Sequence, residues 1–326
     1  MQLFTPIVFA LALLSVGVQA KVKEETKSID DLYAEAVAEG GKLVLYHGGD
    51  TPTQQDSLHE AFQQRFPEIN FTLIVDYSKY HDVRIDNQLE TDTLVPDVVA
   101  LQTLQDFPRW ARGGKIHKSL KASDGAWMAY TVYSFASSYN ASNLNGLTPP
   151  ATVADLVNSQ WAGKIASSYP NDDDAVLYLY TRYLANQSVA FHRGSNVAGE
   201  LIASGEKLIS MGSDVGVSVV GCNSTEYIAW GQRAAILAKA KHPAAAKLFM
   251  NWALSDEVQA STVAPSVRTD INTDKPWDIP EANMTGFSSF MEDRANVEEW
   301  KQTFSLYFGE VQGEPTPGFI GLYPGL

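Results

Sequence analysis

The chain has 326 residues, 45% of them hydrophobic, and carries 38 Asp and Glu against 24 Lys and Arg, a formal net charge of −14. That length supports one large or two medium domains with a substantial core. The acidity excludes a nucleic-acid partner, since phosphate neutralisation needs a basic face, and the single cysteine, Cys222, excludes an intramolecular disulfide.

Residues 1–20 are apolar from Pro6 to Val16 and end in Val18-Gln19-Ala20, a small-x-small pattern. They read as a cleaved secretory signal, and no later segment has membrane-spanning length, so the expectation is a secreted, extracellular chain without membrane insertion. Residues 21–40 form a charged arm and a short helix over Asp31–Glu39, with Leu32, Ala36 and Val37 inward and Gly40-Gly41 as its stop.

Three strand–turn–helix units follow. Leu43-Val44-Leu45-Tyr46 is a strand ending at His47-Gly48-Gly49-Asp50, after which Thr51-Pro52-Thr53 is expected to open a helix capped by Asp50 or Thr51. Leu58, Ala61, Phe62 and Phe66 give that helix an apolar stripe. Asn70–Val75 is a second strand leading into Asp76-Tyr77-Ser78-Lys79-Tyr80-His81, and Asp97–Leu101 a third leading into Gln102-Thr103. Such units build a parallel sheet whose ligands are met at the carboxyl ends of the strands.

Trp127–Tyr139 reads as a long strand leaving the first domain, and Ala151–Trp161 as a helix start followed by a packed Trp. Ile165–Tyr169 is a strand ending in Pro170-Asn171-Asp172-Asp173-Asp174, followed by a helix over Ala175–Leu184, a helical turn at Val197–Ser204, and strand material at Ser210–Gly212 and Val215–Val220. Ile228–Leu237 is an apolar return strand interrupted by Gly231-Gln232-Arg233. His242-Pro243 starts a helix reaching about Val258, with Ala246, Leu248, Phe249, Trp252 and Ala253 on its buried face, and one more helix is expected near Met291–Phe304. This order describes an α/β protein of two lobes joined by crossing strands.

Leu45–Pro52, Val75–Asp82 with Arg84-Ile85-Asp86, Val95–Thr103, Ser168–Ala175, Trp230–Ala235 and Lys241–Leu248 resemble the type II periplasmic binding proteins. Within them the likeness is to the iron(III)-type solute-binding components of ABC importers, including secreted fungal relatives. The resemblance implies a two-lobed fold with a hinge of crossing strands, with the first part of lobe 1 at residues 41–132, lobe 2 at 133–227, and a return to lobe 1 plus a C-terminal tail at 228–326. It also implies a monomer that closes around a small-molecule or ion ligand, with an ABC permease as partner in a bacterial setting and ferric iron as one conceivable cargo; no resident cofactor is expected. The chain looks shorter than relatives at 115–127, 183–191 and 220–230, and it lacks the adjacent tyrosines that ferric binders often use.

The candidate ligand-binding residues are Gly48, Gly49, Asp50, Thr51, Tyr77, Tyr80, Gln102 and Thr103 on the first lobe and Tyr169, Asn171, Asp172 and Asp173 on the second. Turns between a strand and a helix N-terminus offer bare N–H groups, while the carboxylates suit a hard cation or an ammonium group. His47 and His81 are the candidate metal ligands. Asn140, Asn186, Asn223 and Asn283 head Asn-x-Ser/Thr sequons and are the candidate glycosylation sites; Asn70 heads another, at a strand start where access is poorer. Gly-x-Ser-x-Gly and His-Glu-x-x-His are both absent from the sequence, so no catalytic residue is assigned. The rival reading is a secreted hydrolase of a carboxylate- or phosphate-bearing substrate, with Asp50 and Asp172–Asp174 as acid and base.

Overall fold

A computed structural model describes residues 25–116, 127–135, 137–150, 153–182, 189–194, 196–211, 227–261, 266–271, 282–283 and 285–313. Its first half contains α1 (Ile29–Glu39), β1 (Lys42–Gly48), α2 (Asp56–Arg65), β2 (Asn70–Asp76), α3 (Ser78–Glu90), β3 (Val98–Leu101), α4 (Asp106–Arg112), β4 (Met128–Phe135) and β5 (Ser137–Tyr139). Then come β6 (Ile165–Ser168), α5 (Asp174–Arg182), β7 (Ala190–His192), α6 (Asn196–Ala203), β8 (Ile209–Met211), β9 (Tyr227–Ile236), α7 (Pro243–Ala253), α8 (Asp256–Ser261), β10 (Ala282–Asn283), α9 (Gly286–Glu292) and α10 (Arg294–Phe308).

Two sheets define two lobes. The first has the order β10-β9-β3-β1-β2, with β4 added on β9; β1, β2 and β3 are mutually parallel, as expected of βαβ units, while β9 runs antiparallel to β3 and β4. The second has the order β5-β8-β6-β7, with β6 parallel to both neighbours. Local chemistry agrees with the first elements: the Ser28 hydroxyl accepts from Asp31 N at 3.1 Å to cap α1, Leu32 and Ala36 are buried, and Gly40 at φ 128° ends the helix where a side chain would be strained.

The joint between the lobes is a two-stranded ribbon. Strands β4 and β9 pair from Met128↔Ala234 to Phe135↔Ile228, with a register shift between Ala129 and Thr131. At one end Met128, Tyr130, Ala234 and Ile236 belong to the core holding Phe62, Phe249 and Trp252. At the other, Phe135, Ile228 and Trp230 belong to the core holding Trp161, Leu177 and Phe304. A third cluster, around Phe107 and Trp110, covers the opposite face of the first sheet. One continuous ribbon therefore shares its side chains between two cores.

Several expectations change. Helix α2 begins at Asp56, because residues 51–55 close as turns in which Gln54 N donates to Thr51 O and Asp56 N to Thr53 O; neither Asp50 nor Thr51 caps it. The segment before Trp161 makes 3-10 turns at Val153–Val157 and Ser159–Trp161. The helix from Pro243 stops at Ala253 and restarts as α8, and the tail holds two helices, split at Asp293, whose carboxylate accepts from Asn296 N at 3.2 Å and caps α10. Strand β9 runs unbroken through Gly231-Gln232-Arg233. Phe287, Met291, Val297 and Phe304 of α9 and α10 pack into the second core.

Asn70 opens β2 exposed, and Asn140 accepts from Ser142 N through its side chain. The leading segment 1–20, Cys222, Asn186, Asn223, the strand expected at 215–220 and most of the three short regions lie outside the described residues. Among the described residues no helix is long and apolar enough to cross a membrane.

Candidate functional site

Because β1, β2 and β3 are parallel, their carboxyl ends lie along one edge of the first sheet. Gly48 sits there against Ser78: a Cβ on Gly48 would come 2.2 Å from Ser78 Oγ, the atom that accepts from Gln102 N at 3.0 Å. Gly49 N donates to Asp76 O at 3.0 Å, and Asp50 N donates to Gln54 Oε1 at 2.6 Å. These bonds hold the Gly48–Asp50 bend in the position that the first-lobe rim requires.

The opposing bend leaves β6. Tyr169 N donates to His192 O, and the N–H groups of Asp172 and Asp173 both donate to Tyr169 O at 3.0 Å. Asp173 Oδ1 then accepts from Ala175 N at 2.8 Å and Val176 N at 2.9 Å, capping α5. The two bends face one another over a shared crevice lined by Gly48, Gly49, Asp50 and Gln54 on one side and Asp173 on the other. Tyr77, Ser78 and Gln102 complete the first-lobe wall, and the ribbon supplies Tyr133 and Phe135 from β4 and Trp230 and Gln232 from β9. The crevice is open at its mouth and offers a volume of about 70 Å³.

The lobes touch at the crevice mouth. Lys79 Nζ, on α3, lies 2.6 Å from Asp172 Oδ1 and 2.9 Å from Asp172 O, and a Cβ on Gly194, just after β7, would stand 3.6 Å from the Asp50 side chain. Burial acts to lower the Lys79 ammonium, but the Asp172 carboxylate outweighs it and holds the group above its ordinary value. Burial, followed by the Asp50 charge, pushes the Asp173 carboxyl up to about 8.

Of the candidate residues, Gly48, Gly49, Asp50, Tyr77, Gln102 and Asp173 line the crevice. Asp172 forms the bridge to Lys79. Tyr80 stands edge-on to Tyr77 at 5.7 Å, with the Lys79 ammonium 5.5 Å from its ring. Thr51 belongs to the turn before α2, and Thr103 is buried. Tyr169 packs in the second lobe against Phe191 at 5.5 Å, and Asn171 turns to α10, donating to Ser305 Oγ at 3.0 Å. The crevice residues that sequence reasoning passed over are Gln54, Ser78, Tyr133, Phe135, Trp230 and Gln232. Period-two alternation pairs Tyr133 with Phe135 and Trp230 with Gln232, which was the available signal.

The two histidines belong to the interior. His47 is 1% exposed and bonds to Gly48 O and the Tyr130 hydroxyl. His81 is fully buried, stacked on Tyr46 at 4.5 Å, with Arg84 Nη1 3.0 Å from its Nδ1. Burial lowers His47 to about 4, and burial reinforced by Arg84 lowers His81 to about 3. Among the described residues no group of three or more His, Cys, Asp or Glu is placed to hold a metal ion. The metal role expected of His47 and His81 is thus replaced by packing and hydrogen bonding behind the site.

Two α/β lobes, a ribbon between them and a crevice at facing strand ends define a binding protein of the periplasmic type. A family model of bacterial extracellular solute-binding proteins matches residues 49–260, and the chain belongs to that family. Among solved structures it is similar to iron-bound HitA from Pseudomonas aeruginosa, with TM-score 0.58 and 15% identity over 81% of this chain and 99% of that one. AfuA from Actinobacillus pleuropneumoniae, with exogenous fructose-6-phosphate bound, gives TM-score 0.59 and 18% identity over 82% and 99%. The apo ferric ion-binding protein A of Pasteurella haemolytica gives 0.60 and 11% over 83% and 100%. No curated protein sequence matches the chain. At these identities the structural likenesses establish the fold.

Proposed function

We propose that this chain is an exported solute-binding protein that captures a small ligand in the crevice by closing its lobes about the β4–β9 ribbon. The observation that carries this reading is the sharing of one ribbon by two cores, with the crevice lined where the ribbon passes between them. The Gly48–Asp50 bend grips the ligand from one lobe and the Asp173 bend from the other, and closure expels water from between them. Lys79 and Asp172 reinforce the closed form, which is populated to the extent that the ligand binds it better than the open one.

The leading apolar segment and the family together support an extracellular setting, and where a cognate membrane importer exists, delivery to it is the natural next step. Small-angle scattering tests the mechanism. Titration with a binding solute contracts the particle and changes the emission of Trp230, whose ring lines the crevice; saturable binding without contraction would count against hinge closure.

A further inference from the structure

We propose that Tyr130 is a positioning residue of the solute site: as the inserted residue of a β-bulge it turns the aromatic wall into the crevice, and through His47 it ties the ribbon to the Gly48 bend. This role rests on the solute-binding reading above and deepens it.

Strand geometry is the first argument. On β9 the alternate residues Ile228, Trp230, Gln232, Ala234 and Ile236 fall on one face. That face serves the second core with Ile228 and Trp230, the crevice with Trp230 and Gln232, and the first core with Ala234 and Ile236. Their partners on β4 are Phe135 for Ile228, Tyr133 for Trp230, Thr131 for Gln232 and Met128 for Ala234. The last of these steps spans three residues of β4 against two of β9, so Tyr130 is passed over in the pairing. A strand without the insertion could keep Met128 and Tyr130 in the first core or Tyr133 and Phe135 in the crevice, and would turn the other pair away. One extra residue satisfies both ends of the ribbon.

The bulge is pinned from several sides. Gln259, 2% exposed, donates from Nε2 to Tyr130 O at 2.8 Å and to Ala253 O at 2.7 Å, while its Oε1 accepts from Ser266 Oγ at 2.6 Å and Val267 N at 3.1 Å. The Tyr130 carbonyl is thus satisfied by a carboxamide whose own bonding capacity is filled. Across the ribbon, a Cβ on Gly231 would come 2.7 Å from Ala129 Cβ, which explains a glycine inside this strand. The Tyr130 hydroxyl meets His47 Nε2. His47 Nδ1 lies 2.6 Å from Gly48 O; a carbonyl only accepts, so Nδ1 carries the proton and Nε2 receives the one from Tyr130. The Tyr133 side chain hydrogen-bonds to Tyr130 as well. Tyr130 therefore connects a crevice residue of the ribbon with the carbonyl of the first-lobe rim.

The test uses the purified full chain without solute, so its outcome does not depend on whether the lobes close on a ligand. Tyr130→Phe removes the hydroxyl and keeps the ring. The expected result is a shifted His47 Nε2 resonance in nitrogen NMR and at least tenfold faster hydrogen exchange at the Gly49 and Asp50 amides, with the Leu43 and Leu45 amides unchanged. Phe249→Leu, which loosens the first core away from the rim, should not single out those two amides and controls for a general loss of stability. Parental exchange at Gly49 and Asp50 in Tyr130→Phe overturns the link to the rim. For the bulge, Gly231→Ala should change the near-ultraviolet circular dichroism of Tyr133 and Trp230, whose ring centroids are 5.8 Å apart. Adding Ala129→Gly removes the opposing methyl and should restore the spectrum. Where Gly231→Ala alone does not fold, a folded double variant with the parental spectrum supports the same conclusion. An unaltered spectrum in the single variant, or an unrestored one in the double variant, overturns the role of the bulge in setting the aromatic wall. Absence of contraction with any solute would count against hinge closure alone and leave these results standing.

Discussion

Lys79 Nζ on the first lobe lies 2.6 Å from Asp172 Oδ1 and 2.9 Å from Asp172 O on the second, making a bridge that exists only while the lobes are together. The Asp172 side chain is 7% exposed, so removing the ammonium strands a carboxylate in the closed form, whereas opening returns it to water. Lys79→Met is therefore expected to weigh on closure and not on folding. Loss of one partner of a fully buried pair costs about 3–5 kcal/mol; with the Lys79 side chain 27% exposed about 2–3 kcal/mol is expected here, so solute affinity should fall roughly 30- to 150-fold, with faster release and little change in Tm. Stopped-flow tryptophan fluorescence measures the release rate. An unchanged rate would show that the bridge plays no part in closure.

The backbone of the first-lobe rim should be equally exacting at Gly48. A methyl there would stand 2.2 Å from Ser78 Oγ and would displace the hydroxyl that receives Gln102 N–H. Overpacking of this kind typically costs 1–3 kcal/mol. Gly48→Ala should accordingly lower Tm by several degrees and weaken solute binding, since Ser78 and Gln102 both line the crevice. The double variant Gly48→Ala, Ser78→Gly removes the clash and should recover part of the lost stability without the lost affinity. Recovery of full affinity would mean that the Ser78–Gln102 bond does not shape the site.

Asp173 makes the pH dependence of stability specific. Its carboxyl is raised to about 8 by burial and then by Asp50, with Asp174 and Asp172 adding to the rise and the Val176 N–H opposing it; Lys79 and Lys301 neutralise Asp172 and Asp174. An unfolded Asp titrates near 3.9, so between about pH 4 and pH 8 the folded state holds a proton that the unfolded state has lost. Stability from this group is complete below pH 4 and declines until pH 8. Asp173→Asn keeps an oxygen to cap α5 and abolishes the titration. The variant should be on the order of 2 kcal/mol more stable than the parent at pH 8.5 and equal to it near pH 4. Urea melts at the two pH values check this, and equal differences at both would contradict it.

The first-lobe half of the crevice was legible because glycines and short polar residues at the ends of apolar runs carry a strong local signal. Gly48, Gly49, Asp50 and Gln102 lie where three parallel strands stop, and parallel strands stop on the same edge. The ribbon half was hidden for a different reason. Alternation shows that Tyr133 and Phe135 share a face and that Trp230 and Gln232 share another, but which stretch of a ten-residue strand lies between the lobes depends on partners far away in sequence. The acidic run after Tyr169 shows both effects: residue types announced a special turn, yet three neighbours separate into three tasks. Asp172 bridges to Lys79, Asp173 enters the crevice and Asp174 pairs with Lys301 at 2.8 Å. Local pattern cannot assign those directions, because they are set by α3 and α10.

His47 and His81 lead to the last expectation. Both are buried behind the site, one between Gly48 O and the Tyr130 hydroxyl, the other beneath Tyr46 and beside Arg84. Burial lowers the first to about 4 and burial together with Arg84 lowers the second to about 3, against about 6.5 for an unfolded histidine. The unfolded chain therefore binds more protons than the folded one between pH 6.5 and those values, so the stability these groups contribute is full above pH 6.5 and is lost as pH falls toward 4 and then 3. This trend opposes that of Asp173, whose slope persists from pH 8 down to about pH 4, and it should prevail below pH 6 because two histidines then act against one carboxyl. Nitrogen-detected NMR of the imidazoles is the direct measurement: His47 and His81 should be neutral at pH 5. Their protonation near pH 6 in the folded protein would mean that the two rings meet solvent, and with it that the floor behind the Gly48 bend is open.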